Sequence, residues 1–364
     1  MIRSMVKAAA AATLQRTGMA ALIGAHSRKA VTPLVVGYHR VVDDFESHAR
    51  ACMPSLLITT RTLEKQLDWI GRRYEFADPD GMDAWLNGAR PDHKPVAVVT
   101  FDDGYRDVYD HAFPLLRRKG IPAVFFMVTD LIGTNALQIH DELYVLMTRA
   151  LPTWKEPRKD LERVLAQAKV NSFTLAGVLG ALHDAAGVTR ALLSVLTQAQ
   201  VLRIMQVLRL QVGPPREDQE FAAMDWDMLA EMQRHGMKIG SHTRSHALLT
   251  NESAEKIRNE LRGSRRALEN RLGPGIRHFA YPDGRFDALV LGAMVDAGYR
   301  FGYGTCLHRH VEHPALTIPR RLLWEKSSLD AFGQFSPSVM SCQVNGIFDF
   351  AGRHCGASHM EGIS

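Results

Sequence analysis

Three short apolar runs, residues 33–37, 95–100 and 121–129, end at glycine or polar positions, and each gives way to helical spacing. Continuous apolar runs suit strands buried on both faces, and a strand-helix alternation of this kind is what a parallel α/β fold requires. Residues 60–73 place Leu63, Leu67, Trp69 and Ile70 on one face, so they predict a helix capped at Thr59 or Thr60. A second helix is predicted over 105–119, stopped by Gly120. The alternation breaks at residue 138 and resumes at 226 with a helix to 235 and a strand at 237–240. A long helix then runs from a Ser253 cap to Leu272, followed by a strand at 277–281. A helix over 287–297, stopped by Gly298, and short strands at 299–303 and 316–319 close the series.

Between these halves, residues 138–222 carry leucine and alanine at helical periodicity, as in 161–168 and 191–210, with no convincing strand. The expected organisation is a basic amphipathic N-terminal segment over 1–32 and an α/β domain over 33–137 and 223–325. A helical insertion over 138–222 interrupts that domain, and a tail over 326–364 has periodicity too weak to place any element.

With 46% hydrophobic and 23% charged residues, the chain has material for a sizeable buried core. Its 44 basic residues against 39 acidic ones leave a net charge of +5. That mild excess, with no basic tract interleaved with aromatics, argues against a nucleic-acid partner. Cys52, Cys306, Cys342 and Cys355 are far apart and form no C-x-x-C pair, which implies neither a structural zinc site nor a dense disulfide framework. A reducing compartment is the simpler assumption. No acidic residue precedes Asp43, and the apolar run at 8–12 is too short to cross a bilayer and poor as a signal-peptide core. Segment 1–32 therefore reads as a basic helix that packs on the domain, rests on an anionic membrane surface or serves as a transit peptide. The expected location is cytoplasmic, with peripheral membrane contact through 1–32 at the inner face as the finer expectation.

The chemistry-bearing residues sit at strand ends, where α/β sites are built. Val99-Thr-Phe-Asp-Asp-Gly-Tyr105 puts two adjacent carboxylates after a buried strand. Neighbouring residues cannot both point one way, so one carboxylate can bind a cation while the other reaches the space beside it. Uncompensated, the pair would repel, and a cation resolves that conflict. Alone, the motif is equally an Asp-Asp-Gly turn in which Asp102 caps the next helix. Gly240-Ser-His-Thr-Arg-Ser-His246 follows another strand, and in a helical turn its His242 and His246 would share a face within reach of one ion. A carboxylate and two imidazoles leave positions open for water and substrate, as a catalytic zinc site requires, although iron or cobalt would accept the same donors. Phe279-Ala-Tyr-Pro-Asp-Gly284 runs a strand into a turn. Val36-Gly-Tyr-His-Arg40 sets His39 at the same end of the sheet.

In their order and composition, residues 100–104, 241–246 and 279–284 resemble the first three motifs of the polysaccharide deacetylase family, carbohydrate esterase family four or the NodB-homology group. The resemblance covers about residues 33–325 and implies a distorted (β/α)7 barrel of the polysaccharide deacetylase type. It implies that Asp102 is the general base and that Asp103, His242 and His246 hold a divalent metal, usually Zn2+. A backbone N–H in the turn at Tyr281, Pro282 and Asp283 then meets the oxyanion. Many members carry arginine two residues before the third-motif proline, where this chain has Ala280, so the partner of the base is missing or supplied elsewhere. His308, His310 and His313 lack the setting of the usual C-terminal histidine motif. Tyr38-His39-Arg40 instead resembles the poly-N-acetylglucosamine deacetylases of biofilms, which implies His39 as the general acid. The expected reaction is metal-dependent removal of an N-acetyl group from a polysaccharide, oligosaccharide or lipid-linked glycan, with acetate released. Alternatives are deformylation, or other amide hydrolysis, of a lipid-linked amino sugar, and a catalytically silent glycan-binding module. A third, an iron oxygenase, needs an all-β pattern that these helices contradict.

Overall fold

The computed structural model describes residues 33–49, 52–89, 94–171, 178, 180–182, 184–215, 222–306 and 309–348. The N-terminal segment 1–32, His308 and the tail beyond 348 lie outside the described residues. The strands are β1 (Leu34–Tyr38), β2 (Arg40–Val42), β3 (Leu57–Thr59), β4 (Glu75–Phe76), β5 (Val96–Phe101) and β6 (Ala123–Met127). They continue with β7 (Lys238–Ser241), β8 (His278–Ala280), β9 (Phe301–Gly304), β10 (Ile318–Pro319) and β11 (Arg321–Leu322). One nine-stranded sheet runs in the order β10-β9-β8-β7-β6-β5-β1-β11, with β4 added beside β5, while β2 and β3 pair apart from it.

Every pairing in the large sheet is parallel. All six residues of β5 and all five of β6 are buried, which explains why these strands read as unbroken apolar runs. The two ends of the sheet, β10 and β11, are separated in sequence by Arg320 alone. The Arg320 N–H donates to the Gly304 carbonyl at the end of β9 (2.9 Å), and the Leu323 N–H donates to the Gly37 carbonyl in β1 (2.8 Å). These bonds draw the edges together into a nearly closed barrel, as expected. The strand count exceeds seven because the seam is made of two two-residue strands and β4 is equally short.

The helices are α1 (Thr60–Gly71), α2 (Phe113–Lys119), α3 (Ile139–Ala150), α4 (Pro157–Gln167), α5 (Ala185–Val195), α6 (Gln198–Val212), α7 (Trp226–Arg234), α8 (Ala254–Leu272), α9 (Ala288–Ala297) and α10 (Pro337–Val344), besides shorter turns. The helix predicted over 105–119 begins one residue later, at 106, and is not regular throughout: residues 108–112 are π-helical before α2 follows. Pro114 has no N–H to give to the carbonyl four residues back, which breaks the regular ladder where the wide turn joins α2. Tyr105 is not helical; it forms an isolated bridge with Ala223.

Between β6 and β7 the regular elements of the described residues are all helical. The stretch 191–210 is two helices, because Thr197 caps α6 in a reciprocal box with Gln200. Leu146, Leu161, Val164, Leu192, Ile204 and Leu208 belong to a hydrophobic cluster separate from the barrel core. The chain after Glu325, which the sequence left unplaced, includes α10 capped by Ser336. Glu325 itself accepts from the Thr59 N–H and the Thr62 hydroxyl, both at 2.7 Å, and so ties this end to the start of α1. Among the described residues no helix is long and apolar enough to cross a membrane.

Candidate active site

Five strands deliver polar residues to one end of the barrel: His39 follows β1, Asp102 and Asp103 follow β5, His242 follows β7, Tyr281 follows β8 and Arg320 follows β10. The chain must reverse sharply after β5, and Asp103 and Gly104 do so in the left-handed region, at φ 71° and 74°. That region is costly for a residue with a Cβ, so Asp103 is held there by its surroundings. At Gly104 an added Cβ would lie 2.3 Å from Met127 Cε, so a side chain there would have to displace the methionine besides taking the left-handed backbone. As adjacency requires, the two carboxylates diverge.

Asp103 turns toward imidazoles. Its Oδ1 lies 3.3 Å from His246 Nε2 and 3.5 Å from His242 Nε2. Both carboxylate oxygens are buried without a hydrogen-bond partner. A buried ion in that state is strongly disfavoured unless a cation completes it. Two donors about 2.0–2.1 Å from one tetrahedral ion stand roughly 3.3–3.4 Å apart, so these spacings fit a shared metal. One donor atom from each of Asp103, His242 and His246 falls within 4.8 Å of the others. The His242 Nδ1 is 2.7 Å from the Ala280 carbonyl, which fixes the tautomer that leaves Nε2 facing Asp103. Burial pushes the His242 imidazole down to about 4, against the pull of Asp102, so it is neutral and able to ligate near neutral pH.

The two histidines do not share a helical turn, contrary to the spacing argument. Residues 243–245 form a loop in which Thr243 and His246 take φ 70° and 58°. Glu260 of α8, itself buried, accepts from the N–H groups of Arg244 (2.7 Å) and Ser245 (3.0 Å) and from the Ser245 hydroxyl (2.6 Å). A carboxylate satisfied by several donors holds the loop in that shape.

Asp102 turns the other way, into a fork. Arg320 donates through Nη1 to Oδ1 (2.6 Å) and through Nη2 to Oδ2 (2.8 Å), and Nη1 also reaches the Thr100 hydroxyl at 3.1 Å. Burial alone would raise the Asp102 carboxyl, but Arg320 and the nearby histidines hold it below its usual value. The partner absent at Ala280 is thus supplied by Arg320 across the barrel seam. Arg320 was not singled out in the sequence, although the rule that found the other residues, a polar side chain directly after a strand, applies to it.

His39 Nε2 stands 3.9 Å from Asp102 Oδ2, the oxygen that also accepts from Arg320 Nη2. The Tyr281 hydroxyl donates to the Leu316 carbonyl at 2.8 Å, so its side chain fastens the fold. Asp283 takes a left-handed φ of 55° in the turn over Pro282–Gly284. His310 and His313 stack on each other, 5.4 Å between centroids, and neither is among the residues lining the cavity. His39, Asp102, Asp103, His242, His246 and Asp283 all border one cavity of about 590 Å³. Helices α5 and α6 contribute Leu193, Ser194 and Val201 to its far wall.

The family description "Polysaccharide deacetylase" matches residues 89–167 and 180–302, more than half of the chain. "Putative polysaccharide deacetylase YxkH" of Bacillus subtilis (strain 168) is 20% identical over 259 residues, which are 71% of this chain and 62% of that protein. The poly-beta-1,6-N-acetyl-D-glucosamine N-deacetylase of Escherichia coli (strain K12) is 26% identical over 130 residues, 35% of this chain and 18% of that one. The match thus spans under two thirds of the length of either relative. Among solved structures, the Streptococcus pyogenes deacetylase PplD in complex with acetate superposes with a TM-score of 0.53 at 17% identity, covering 87% of this chain and 99% of its own. IcaB from Ammonifex degensii gives 0.51 at 18%, covering 86% and 97%. The fold is therefore shared with these deacetylases. On the family match, the chain belongs to the polysaccharide deacetylase family.

Proposed function

We propose that this protein hydrolyses the N-acetyl group of an N-acetylated sugar within a glycan, releasing acetate, and that it does so with a divalent metal, Zn2+ by preference. The observation that carries the reading is a buried, hydrogen-bond-free Asp103 carboxylate facing two imidazoles, beside a second carboxylate gripped by arginine. Asp103, His242 and His246 would hold the ion, which when bound polarises an acetamide carbonyl and lowers the pKa of a coordinated water.

The chain's own residues supply the proton traffic. Asp102, kept ionised and aimed by Arg320, takes a proton from water as its oxygen attacks the carbonyl carbon. In the turn at Tyr281, Pro282 and Asp283 the donor to the oxyanion is the Asp283 N–H, because proline has none and the Tyr281 N–H is donated to the Tyr303 carbonyl at 3.0 Å. His39 then gives a proton to the departing nitrogen as the C–N bond breaks, so that acetate and a free amine leave. The choice of His39 follows from its place beside Asp102 and aligns the chain with members that begin in Tyr-His-Arg. The cavity has room for a sugar ring with its acetamide. We further take residues 138–222, with their separate hydrophobic cluster, to be an insertion in the deacetylase domain of 33–137 and 223–325.

Acetate release from N-acetylglucosamine oligomers and lipid-linked saccharides, coupled to metal analysis of the purified protein, tests this reading. Asp102→Asn is expected to lower turnover by about two orders of magnitude or more with metal content intact, as for loss of a general base. Asp103→Ala and His242→Ala are expected to lose the ion. Wild-type turnover in Asp102→Asn would reject the base, and formate in place of acetate would move the substrate to a formamido sugar.

A further inference from the structure

The first turn of α3 reaches into the metal centre, and no residue of that turn is needed for the chemistry just described. Gln138 is the N-cap of α3, yet its side chain makes no capping bond. Instead its Nε2 donates to the backbone carbonyl of Asp103 at 2.8 Å, deep in the core. Its Oε1, the atom that could accept from the helix end, is buried without a partner, so the side chain is oriented for the Asp103 carbonyl rather than for a cap. The carbonyl it holds belongs to the residue whose left-handed backbone aims the proposed ligand.

Two residues on, His140 is buried against the same carboxylate from the other side. Its Nε2 is 3.7 Å from Asp103 Oδ2, and its ring lies 4.9 Å from that of His246. The ring cannot turn away freely: Nε2 is 2.8 Å from the Tyr105 hydroxyl, which donates to Asp141 Oδ2 at 2.5 Å. Because that hydroxyl spends its proton on Asp141, His140 presents its N–H toward Tyr105 and Asp103. Tyr105 lies beneath the guanidinium of Arg40, 5.0 Å from its ring centroid, and Arg40 is paired with Asp107 at 2.7 Å. His140 therefore stands on a chain of buried contacts rooted in the barrel.

We propose that Gln138 and His140 are positioning residues of the metal centre: they fix the Asp103 main chain and screen its second oxygen, so that the helical segment between β6 and β7 sets the affinity for the ion. This rests on the metal reading above. Groups that orient a ligand from outside typically contribute 10- to 100-fold in metal affinity.

The test is Zn2+ titration of the full-length, metal-stripped protein against a chromophoric chelator, with wild type, Gln138→Ala, His140→Ala and Tyr105→Phe compared. The first two variants are expected to bind Zn2+ 10- to 100-fold more weakly, with deacetylation restored at saturating Zn2+. Tyr105→Phe, which keeps the ring and removes only the hydroxyl that tethers His140, is expected to weaken binding several-fold; it decides the matter should an alanine variant fail to fold. Affinities within two-fold of wild type in the folded variants overturn the inference and leave the metal reading standing. A wild-type protein that binds no divalent metal overturns both.

Discussion

Arg320 and Asp102 form the tightest charge pair of the site, and both are buried. Truncating one partner of such a pair strands the other charge, at about 3–5 kcal/mol. Arg320→Ala is therefore expected to lower stability by that order, measured by urea unfolding, and to cut turnover through a misoriented base. Adding Asp102→Asn removes the stranded charge, so the double variant should recover part of the lost stability but none of the turnover. A double variant no more stable than Arg320→Ala would show that the carboxylate is satisfied without the arginine. The pH response has a definite sign. Burial pushes the Asp102 carboxyl up, and the Arg320 guanidinium is what chiefly holds it down. Without the guanidinium, burial dominates and the carboxyl rises, so the acidic limb of any residual activity should move to higher pH. This pair also shows where sequence reading stopped. Asp102 stood out because two carboxylates abut in one short motif, whereas Arg320 is 218 positions away and is joined to it only by the closing of the barrel.

At the scale of elements, the same physics separates what the sequence revealed from what it hid. β5 and β6 were legible because burial on both faces forces an unbroken apolar run. Helix ends marked by Gly120 and Gly298 were legible because each glycine takes the left-handed cap, at φ 65° and 75°. The break between α5 and α6 was missed since apolar periodicity continues across it, although Thr197 and Gln200 spell a capping box. The loop holding His242 and His246 was misread as helical, because i,i+4 spacing brings imidazoles together in a helix and a left-handed loop achieves the same by other means. Two glycines test how well elements tolerate a side chain. Gly302 lies in β9, where an added Cβ would meet the Leu316 carbonyl at 2.3 Å and the Tyr281 hydroxyl at 2.7 Å. Gly292 lies in α9 with nothing within 4 Å. Gly292→Ala should raise stability by about 0.5–1 kcal/mol, the ordinary helical gain over glycine. Gly302→Ala should lower it by about 1–3 kcal/mol or more, as overpacking does. Equal effects in denaturant unfolding would mean that the β9 contact relaxes easily.

For the whole molecule, the site exists because the barrel closes, and closure depends on contacts remote from it. Asp103 and its histidines come from β5 and β7, which are separated in the sheet only by β6, but Arg320 arrives only when β10 and β11 join the edges. One of the ties in that architecture can be read by pH. His278 of β8 is buried, with Nδ1 2.9 Å from the Tyr303 hydroxyl of β9 and Nε2 3.1 Å from Asp80 on the loop after β4. Burial lowers the His278 imidazole below its usual value, and Asp80 only partly opposes this. The folded protein therefore binds that proton more weakly than the unfolded chain does. Where the unfolded state holds more protons, stability rises with pH, so this contribution is complete above the ordinary histidine pKa of about 6.5 and is lost as pH falls below it. Asp80, depressed by His278 and Lys238, adds a loss of the same sign at more acidic pH. The expected result is a melting temperature that falls from pH 7 to pH 5, with a shallower fall in His278→Asn, which keeps a polar side chain but cannot take the proton. An unchanged slope in that variant would assign the loss to other buried imidazoles, His242 first among them. The slope of the metal-loaded protein separates those two: an ion on His242 competes with its proton, whereas His278, which lines no part of the cavity, would titrate as before.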